Sequence, residues 1–317
     1  MFNENEPYVL VFGASVVDIF GFSTSNYLAY NSTPGSVKMS FGGVCRNIAE
    51  NMARVGVNTK FISILGNDET GRSMLEHSQQ IGYDMEDSLI LENSTTPTYL
   101  AILDEKGEMV SAIADMKSIN EMTPEFINTK KEIISNSEYT FLDADNPVIL
   151  EYILTKFKGD TKFILDPISA AKADTIKHLI RHFHTIKPNR HEAEVLAGFK
   201  LHNDWDLKKA ADYFISLGVK NVFISLDAEG IFYSDGVIHG KLKASGVNAT
   251  NVTGAGDAFV AGLGYGYMND LPIYETSKIA IAMSIIAISH EETINPNLNF
   301  EFVNKVIAST EWEELQY

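Results

Sequence analysis

Residues 43–65 read "GVCRNIAENMARVGVNTKFISIL". In the first half Ile48, Met52 and Val55 recur at helical spacing, and Gly56 suits a C-terminal cap. In the second half, "TKFISIL" (59–65) is a short β-branched and aromatic run of the kind that fills a buried strand. A helix delivered straight into a buried strand is half of an α/β repeat, and the pattern recurs along the chain. "YVLVFG" (8–13), "YTFLD" (139–143), "KFILD" (162–166), "HTIKP" (184–188) and "NVFISL" (221–226) read as further parallel strands. "NDWDLKKAADYFISLG" (203–218) is another helix, with Leu207, Ala211 and Phe214 inward and Gly218 past its last turn. Such alternation predicts an α/β fold: a doubly wound, mostly parallel sheet with helices on both faces.

Two segments break the rhythm. Residues 15–41 are polar and turn-rich without a convincing helix, and 97–113, "PTYLAILDEKGEMVSAI", read as two strands joined around Lys106 and Gly107. They predict a small β-sheet lid carried by a single domain over 1–317; an extra hairpin on the sheet edge is the alternative. No repeat, low-complexity tract or linker divides the chain.

A chain of 317 residues, 45% hydrophobic, can bury a sizeable core. Its formal charge of −17 argues against a nucleic-acid polymer as partner, because such binding neutralises phosphates. Any phosphate site must therefore come from local positive features. The start of the chain lacks the pattern of a signal peptide, and "IAIAMSIIAIS" (279–289) is too short to span a membrane. Cys45 stands alone, which excludes a disulfide framework. The expectation is a cytoplasmic protein with no membrane partner. The histidines of "HLIRHFH" (178–184) have no accompanying carboxylate motif, so a solvated helix end is a better reading than a metal site.

"NVTGAGDAFVAG" (251–262) places three small residues before a carboxylate at the start of a helical stretch. If the helix begins near Gly254, the amides of Gly254, Ala255 and Gly256 lack intrahelical acceptors and point outward at the positive end of the helix dipole. That makes a site for an anion. Asp257, beside a bound phosphate, makes chemical sense as a base that takes a proton from an attacking hydroxyl. A purely structural first-turn carboxylate is about as well supported by spacing alone. No Walker-type loop is present, and a dinucleotide fingerprint would put Phe259 at its last glycine.

The same stretch resembles the C-terminal signature of the ribokinase-like (PfkB) sugar and nucleoside kinases. "GGVCRNIAENMARVG" (42–56) resembles their N-terminal signature, and "KPNRHEAE" (187–194) their N-x-x-E element. The resemblance covers essentially the full length and implies a ribokinase-like fold with a β-lid. It implies Asp257 as catalytic base, with Gly254, Ala255 and Gly256 as the anion hole. Asp18, Gly42, Gly43 and Asn47 would bind substrate. Asn189, Ser225, Gly230, Thr253 and Gly256 would line the ATP site, with apolar residues of 279–289 behind the adenine. Asn189 and Glu192 would hold Mg²⁺ through water. Lys187 and Arg190 flank that element, with phosphate contact and an ordinary surface role both open.

"GEMVSAIADM" (107–116), "DPISAAK" (166–172) and "HTIKPNRHEAEVLAG" (184–198) further resemble the branch of the family that acts on pseudouridine. This implies ATP and pseudouridine, or a related nucleoside or sugar, as small-molecule partners. The presumed substrate segments offer only Lys38, Arg46 and Lys172 as cations, which suits a neutral acceptor. Thr98, Asp115 and Lys172 are candidates for the base by position. A free-sugar kinase and, less favoured, a non-catalytic sensor are the other readings. The chain also departs from the pattern: Val16 replaces a common Asn, and Asp227 replaces a common Gly. Asn251 stands where potassium-dependent members carry Asp, so activation by a monovalent cation is not predicted. The lid edge offers a surface for a homodimer.

Overall fold

The computed structural model describes residues 2–316. Nine strands make the main sheet, in the order Glu311–Gln316, His239–Ser245, Ile231–Ser234, Asn221–Ser225, Thr185–Ile186, Lys162–Asp166, Tyr139–Asp143, Val9–Phe12 and Thr59–Ile62. The last six run parallel, and they are the six expected from the alternating pattern. The first three extend the sheet in antiparallel fashion. Ile231–Ser234 and His239–Ser245 are joined by a tight turn at 235–238, with Gly236 at φ +87°, rather than by a helix, whereas Glu311–Gln316 returns after three helices to pair with His239–Ser245. A turn as short as 235–238 cannot return a strand in parallel.

Period-2 alternation places the core on both faces. Val9 and Val11 pack with Met52, Phe141 and Ala261 under the helices Val44–Arg54 and Ala255–Met268. Leu10 and Phe12 face the other way, with Leu150, Ile153, Leu207 and Phe214 of the helices Pro147–Lys156 and Asp204–Leu217. The run at 59–65 divides at Ser63: Thr59–Ile62 stays in the main sheet, while Ile64–Gly66 pairs with Leu89–Leu91. No helix among the described residues is long and apolar enough to cross a membrane.

Gly35–Gly42, Val16–Ser23, Thr98–Leu103 and Met109–Asp115 form a separate four-stranded sheet in that order. Register sorts its side chains. Asp18 shares a face with its neighbours Ser40 and Tyr99, whereas Met39, Ile19, Leu100 and Ile113 form a row across the opposite face.

Candidate active site

Parallel strands end together, so the residues just past them share one edge of the sheet. Gly13 follows one strand, Asp143 and Asp166 end the next two, and Lys187 follows the fourth. Ligands of open α/β sheets bind along this edge. Two helix starts converge on it.

The first belongs to the helix Val44–Arg54. Its N-cap is Gly43 at φ +97°, where a Cβ would stand 2.6 Å from the Ala14 carbonyl oxygen, so only glycine permits this approach. One turn in, Asn47 Nδ2 donates to Asp257 Oδ2 at 2.8 Å. A side chain at Gly42 would collide with the Asp18 carboxylate, and Asp18 therefore lies directly over the glycine pair. Burial pushes the Asp18 carboxyl up to about 6, opposed by the Arg46 charge. Arg46 is itself committed to the fold: it pairs with Glu50 and donates to the Phe41 carbonyl at 2.9 Å.

The second helix is Ala255–Met268, capped by Gly254 in a left-handed conformation at φ +82°. Ala258 N closes the first turn on Gly254 O at 2.9 Å, leaving the preceding amides at an open helix start. Ala255 N differs from expectation, since it reaches back to the Val252 carbonyl over a long 3.4 Å. Asp257 is half-buried in the first turn. Burial and then the nearby Asp166 charge raise its carboxyl to about 7, while Asn47 and Lys187 pull it down. A carboxyl held at that level is matched to accepting a proton near neutrality.

Lys187 is buried rather than on the surface, and its Nζ donates to Asp166 Oδ2 at 3.2 Å. Burial pulls its amine down, but Asp166, Glu192 and Asp257 together hold it above the ordinary lysine value. A Cβ at Gly256 would stand 3.0 Å from that Nζ. The fixed cation therefore lies at the helix start itself, supplying the local positive charge that a chain of net −17 needs.

Asn189 and Glu192 form a reciprocal capping box at the helix Arg190–Ala197: Asn189 Oδ1 accepts from Glu192 N at 2.9 Å, and Asn189 N donates to Glu192 Oε2 at 2.7 Å. Glu192 is buried, and burial raises its carboxyl. No cluster of three metal-ligating side chains occurs among the described residues. The hard oxygens of Glu192 and Asn189 suit magnesium, which keeps most of its water shell.

Residues 6–299 match the pfkB family of carbohydrate kinases. The chain belongs to that family. Pseudouridine kinase of Escherichia coli is 35% identical over 310 residues, covering 96% of this chain and 98% of its own. A Clostridium perfringens protein whose crystal structure was solved as a candidate sugar kinase is 66% identical, with TM-score 0.96 and 99% of each chain covered. Arabidopsis thaliana ribokinase, solved with ribose and ATP, shares the fold at TM-score 0.79 and 20% identity over 95% of this chain and 98% of that one. The protein is thus a kinase of the sugar and nucleoside type with a ribokinase-like fold.

In this kinase Asp18, Gly42, Gly43, Asn47, Asp257, Gly254 and Gly256 come together, and Ser225 bridges to Asn189 in the next strand position. Other expected residues sit elsewhere. Thr98 pairs with Val17 and Asp115, on the face of the small sheet opposite Asp18. Thr253 is exposed, its amide taken by Asn251 Oδ1 at 3.0 Å. Gly230, at φ +88°, closes a turn against the strand His239–Ser245. Asp227 adopts φ +51°, so the turn keeps a glycine-like conformation despite the substitution. Apolar residues of 279–289 are engaged in packing: Ala280 lies against Gly262 of the neighbouring helix. Lys172 pairs with Asp145.

Sequence reasoning assigned no role to Asp143, Asp145 or Asp166. The available signal was that "YTFLD" and "KFILD" both end in aspartate, a residue poorly suited to a strand interior.

Proposed function

We propose that the kinase transfers the γ-phosphoryl group of ATP to the 5′-hydroxyl of pseudouridine. The observation that carries the chemistry is Asp257: a carboxyl raised to about 7, bonded to Asn47 and set beside Lys187 at an open helix start. Asp257 accepts the hydroxyl proton as the oxygen attacks phosphorus in line. The bond from the γ-phosphorus to the bridging oxygen breaks, and ADP leaves. The helix-start amides and Lys187 face the negative charge of the transferring group. Asn47 orients the base, and Asp18 with the Gly42–Gly43 turn binds the sugar hydroxyls. Asn189 and Glu192 would hold Mg²⁺ through water, which would supply further neutralisation of the phosphates.

The choice of acceptor rests on the 35% identity to the E. coli pseudouridine kinase over nearly the full length, together with the ion pairing of the three cations of the acceptor segments, Arg46 with Glu50, Lys172 with Asp145 and Lys38 with Glu292. A second acceptor phosphate would need free cations. ADP release measured with pseudouridine, uridine, ribose and fructose tests the reading. Highest kcat/KM on pseudouridine is expected. Highest activity on ribose would reassign the acceptor, and no turnover with any compound would favour a ligand sensor.

A further inference from the structure

Asp257 takes its hydrogen bond from a neutral amide, and the far end of that amide meets a cation. Asn47 Nδ2 donates to Asp257 Oδ2 at 2.8 Å, while Asn47 Oδ1 accepts from Arg46 Nη1 at 3.2 Å. The same Nη1 donates to the Phe41 carbonyl at 2.9 Å, and Nη2 pairs with Glu50. Glu50 is bonded in turn to Arg54 Nε at 2.8 Å and to His77 Nε2 at 3.0 Å. Burial pushes the Glu50 carboxyl up, but the His77 contact and the two arginines outweigh it and hold it at about 2. Arg46, Asn47 and Glu50 are 4%, 5% and 2% exposed, so this chain of contacts runs through the interior, out of competition with water.

The chemistry of the partners fixes which way Asn47 points. A guanidinium carries only donors and does not lose its charge in a protein. The end of the Asn47 amide that faces it must be the oxygen, so the nitrogen end is delivered to Asp257. A carboxylate accepts from that nitrogen, whereas a protonated carboxyl could pair equally well with the amide turned round, donating to its oxygen. The orientation of one amide therefore biases the base towards its ionised form. As a stabilising device alone the cluster is a poor choice, because apolar residues of similar volume often do as well as a buried ion pair or better. The charges that bear on the Asp257 carboxyl are those of Asp166 and Lys187, whereas the Arg46 charge falls on Asp18, Glu50 and Tyr83. Arg46 reaches the base through Asn47.

We infer that Arg46 is a positioning residue for phosphoryl transfer: anchored by Glu50, it holds the Asn47 amide in the one orientation that keeps Asp257 ready to accept a proton. The inference rests on the reading of Asp257 as the base.

The test follows Asp257 in the full chain, with and without turnover. NMR of isotope-labelled aspartate carboxyls gives its titration directly, the Asp257→Asn spectrum identifying the resonance. The pH profile of kcat at saturating pseudouridine and ATP gives the acid limb. In Arg46→Met both should move up by about one to two pH units, the size of a hydrogen bond lost from a charged acceptor. At pH 7 kcat should then fall roughly five- to fifty-fold and recover as pH is raised, a recovery that damaged packing would not give. On an Asn47→Ala background, where the titration is already raised, Arg46→Met should add no further displacement. An Asp257 titration unmoved in Arg46→Met, or moved equally with and without Asn47, would overturn the inference. If the resonance moves as expected yet Asp257→Asn turns over normally, the hold of Arg46 on Asp257 stands and the base assignment falls. Thermal unfolding checks that the variants are folded. Arg46→Gln, whose amide can offer either end to Asn47, serves where Arg46→Met does not fold.

Discussion

At the scale of single residues, Asp257 shows how a site stores unfavourable electrostatics for use. Its carboxyl is raised mainly by burial and by Asp166, and held from rising further by Asn47 and the Lys187 charge. Asp257→Asn should lower kcat by roughly 10²–10⁴-fold while calorimetry shows ATP binding retained. The base must be ionised, so kcat/KM of the parent should decline as pH falls below about 7. Replacing Lys187 with Met removes a neighbour that lowers this value and should displace the acid limb to higher pH. An unmoved limb would separate Lys187 from the base. Stability carries the opposite sign. A carboxyl raised in the folded state binds its proton more tightly there, so its contribution is present below the ordinary Asp range and lost as pH rises through about 7. Asp257→Asn should therefore unfold at a higher temperature than the parent at pH 8, with the difference closing towards pH 4. Ile168 is a second mark of strain at this edge: a β-branched residue at φ +66°, with its amide held by Asp166 Oδ1 at 2.9 Å.

At the scale of elements, one motif serves two purposes. The Asn189–Glu192 pair caps a helix and is also the pair proposed to hold magnesium through water. Glutamine can replace glutamate in a capping box but withholds the charge a cation needs. Glu192→Gln should therefore raise the Mg²⁺ concentration for half-maximal activity several-fold with little change in unfolding temperature. An unchanged magnesium titration would confine Glu192 to capping. The two helix starts were legible in the sequence because glycines just ahead of Asp257 and of Asn47 mark places where backbone must come close to something. The six parallel strands were legible because strands buried on both faces show continuous apolar runs. Asp143 and Asp166 were not, since nothing local says that the ends of separate strands share an edge. Thr98 and Asp115, named by position alone, lie on the face of the small sheet opposite Asp18. A one-residue step in register exchanges the two faces of a sheet, and proximity along the chain to Asp18's partners does not reveal which face a side chain takes.

At the scale of the whole molecule, the small sheet has two faces of different character. The face with Asp18 and Tyr99 adjoins the site, and a lid closing there would exclude water from the transferring phosphoryl group. The other face carries Met39 at 55% and Ile113 at 67% exposed in one register row with Ile19 and Leu100, and Val37 at 75% in the next row, opposite Gly21. A contiguous apolar row on a sheet is a poor solvent-facing surface. A second copy, laid face to face by a two-fold axis, would cover it with the same residues. The sheet would then be held from behind while its Asp18 face remained free to meet substrate. Sedimentation of the parent chain should accordingly give a dimer, and Met39→Asp combined with Ile113→Asp should give a folded monomer. Because the altered side chains point away from Asp18, a direct contribution to acceptor binding would not account for a rise in KM in that monomer. Such a rise without loss of ATP binding would show that dimer contact sets the lid's position. A parent chain that sediments as a monomer at assay concentration would remove the pairing and leave the apolar row without a partner.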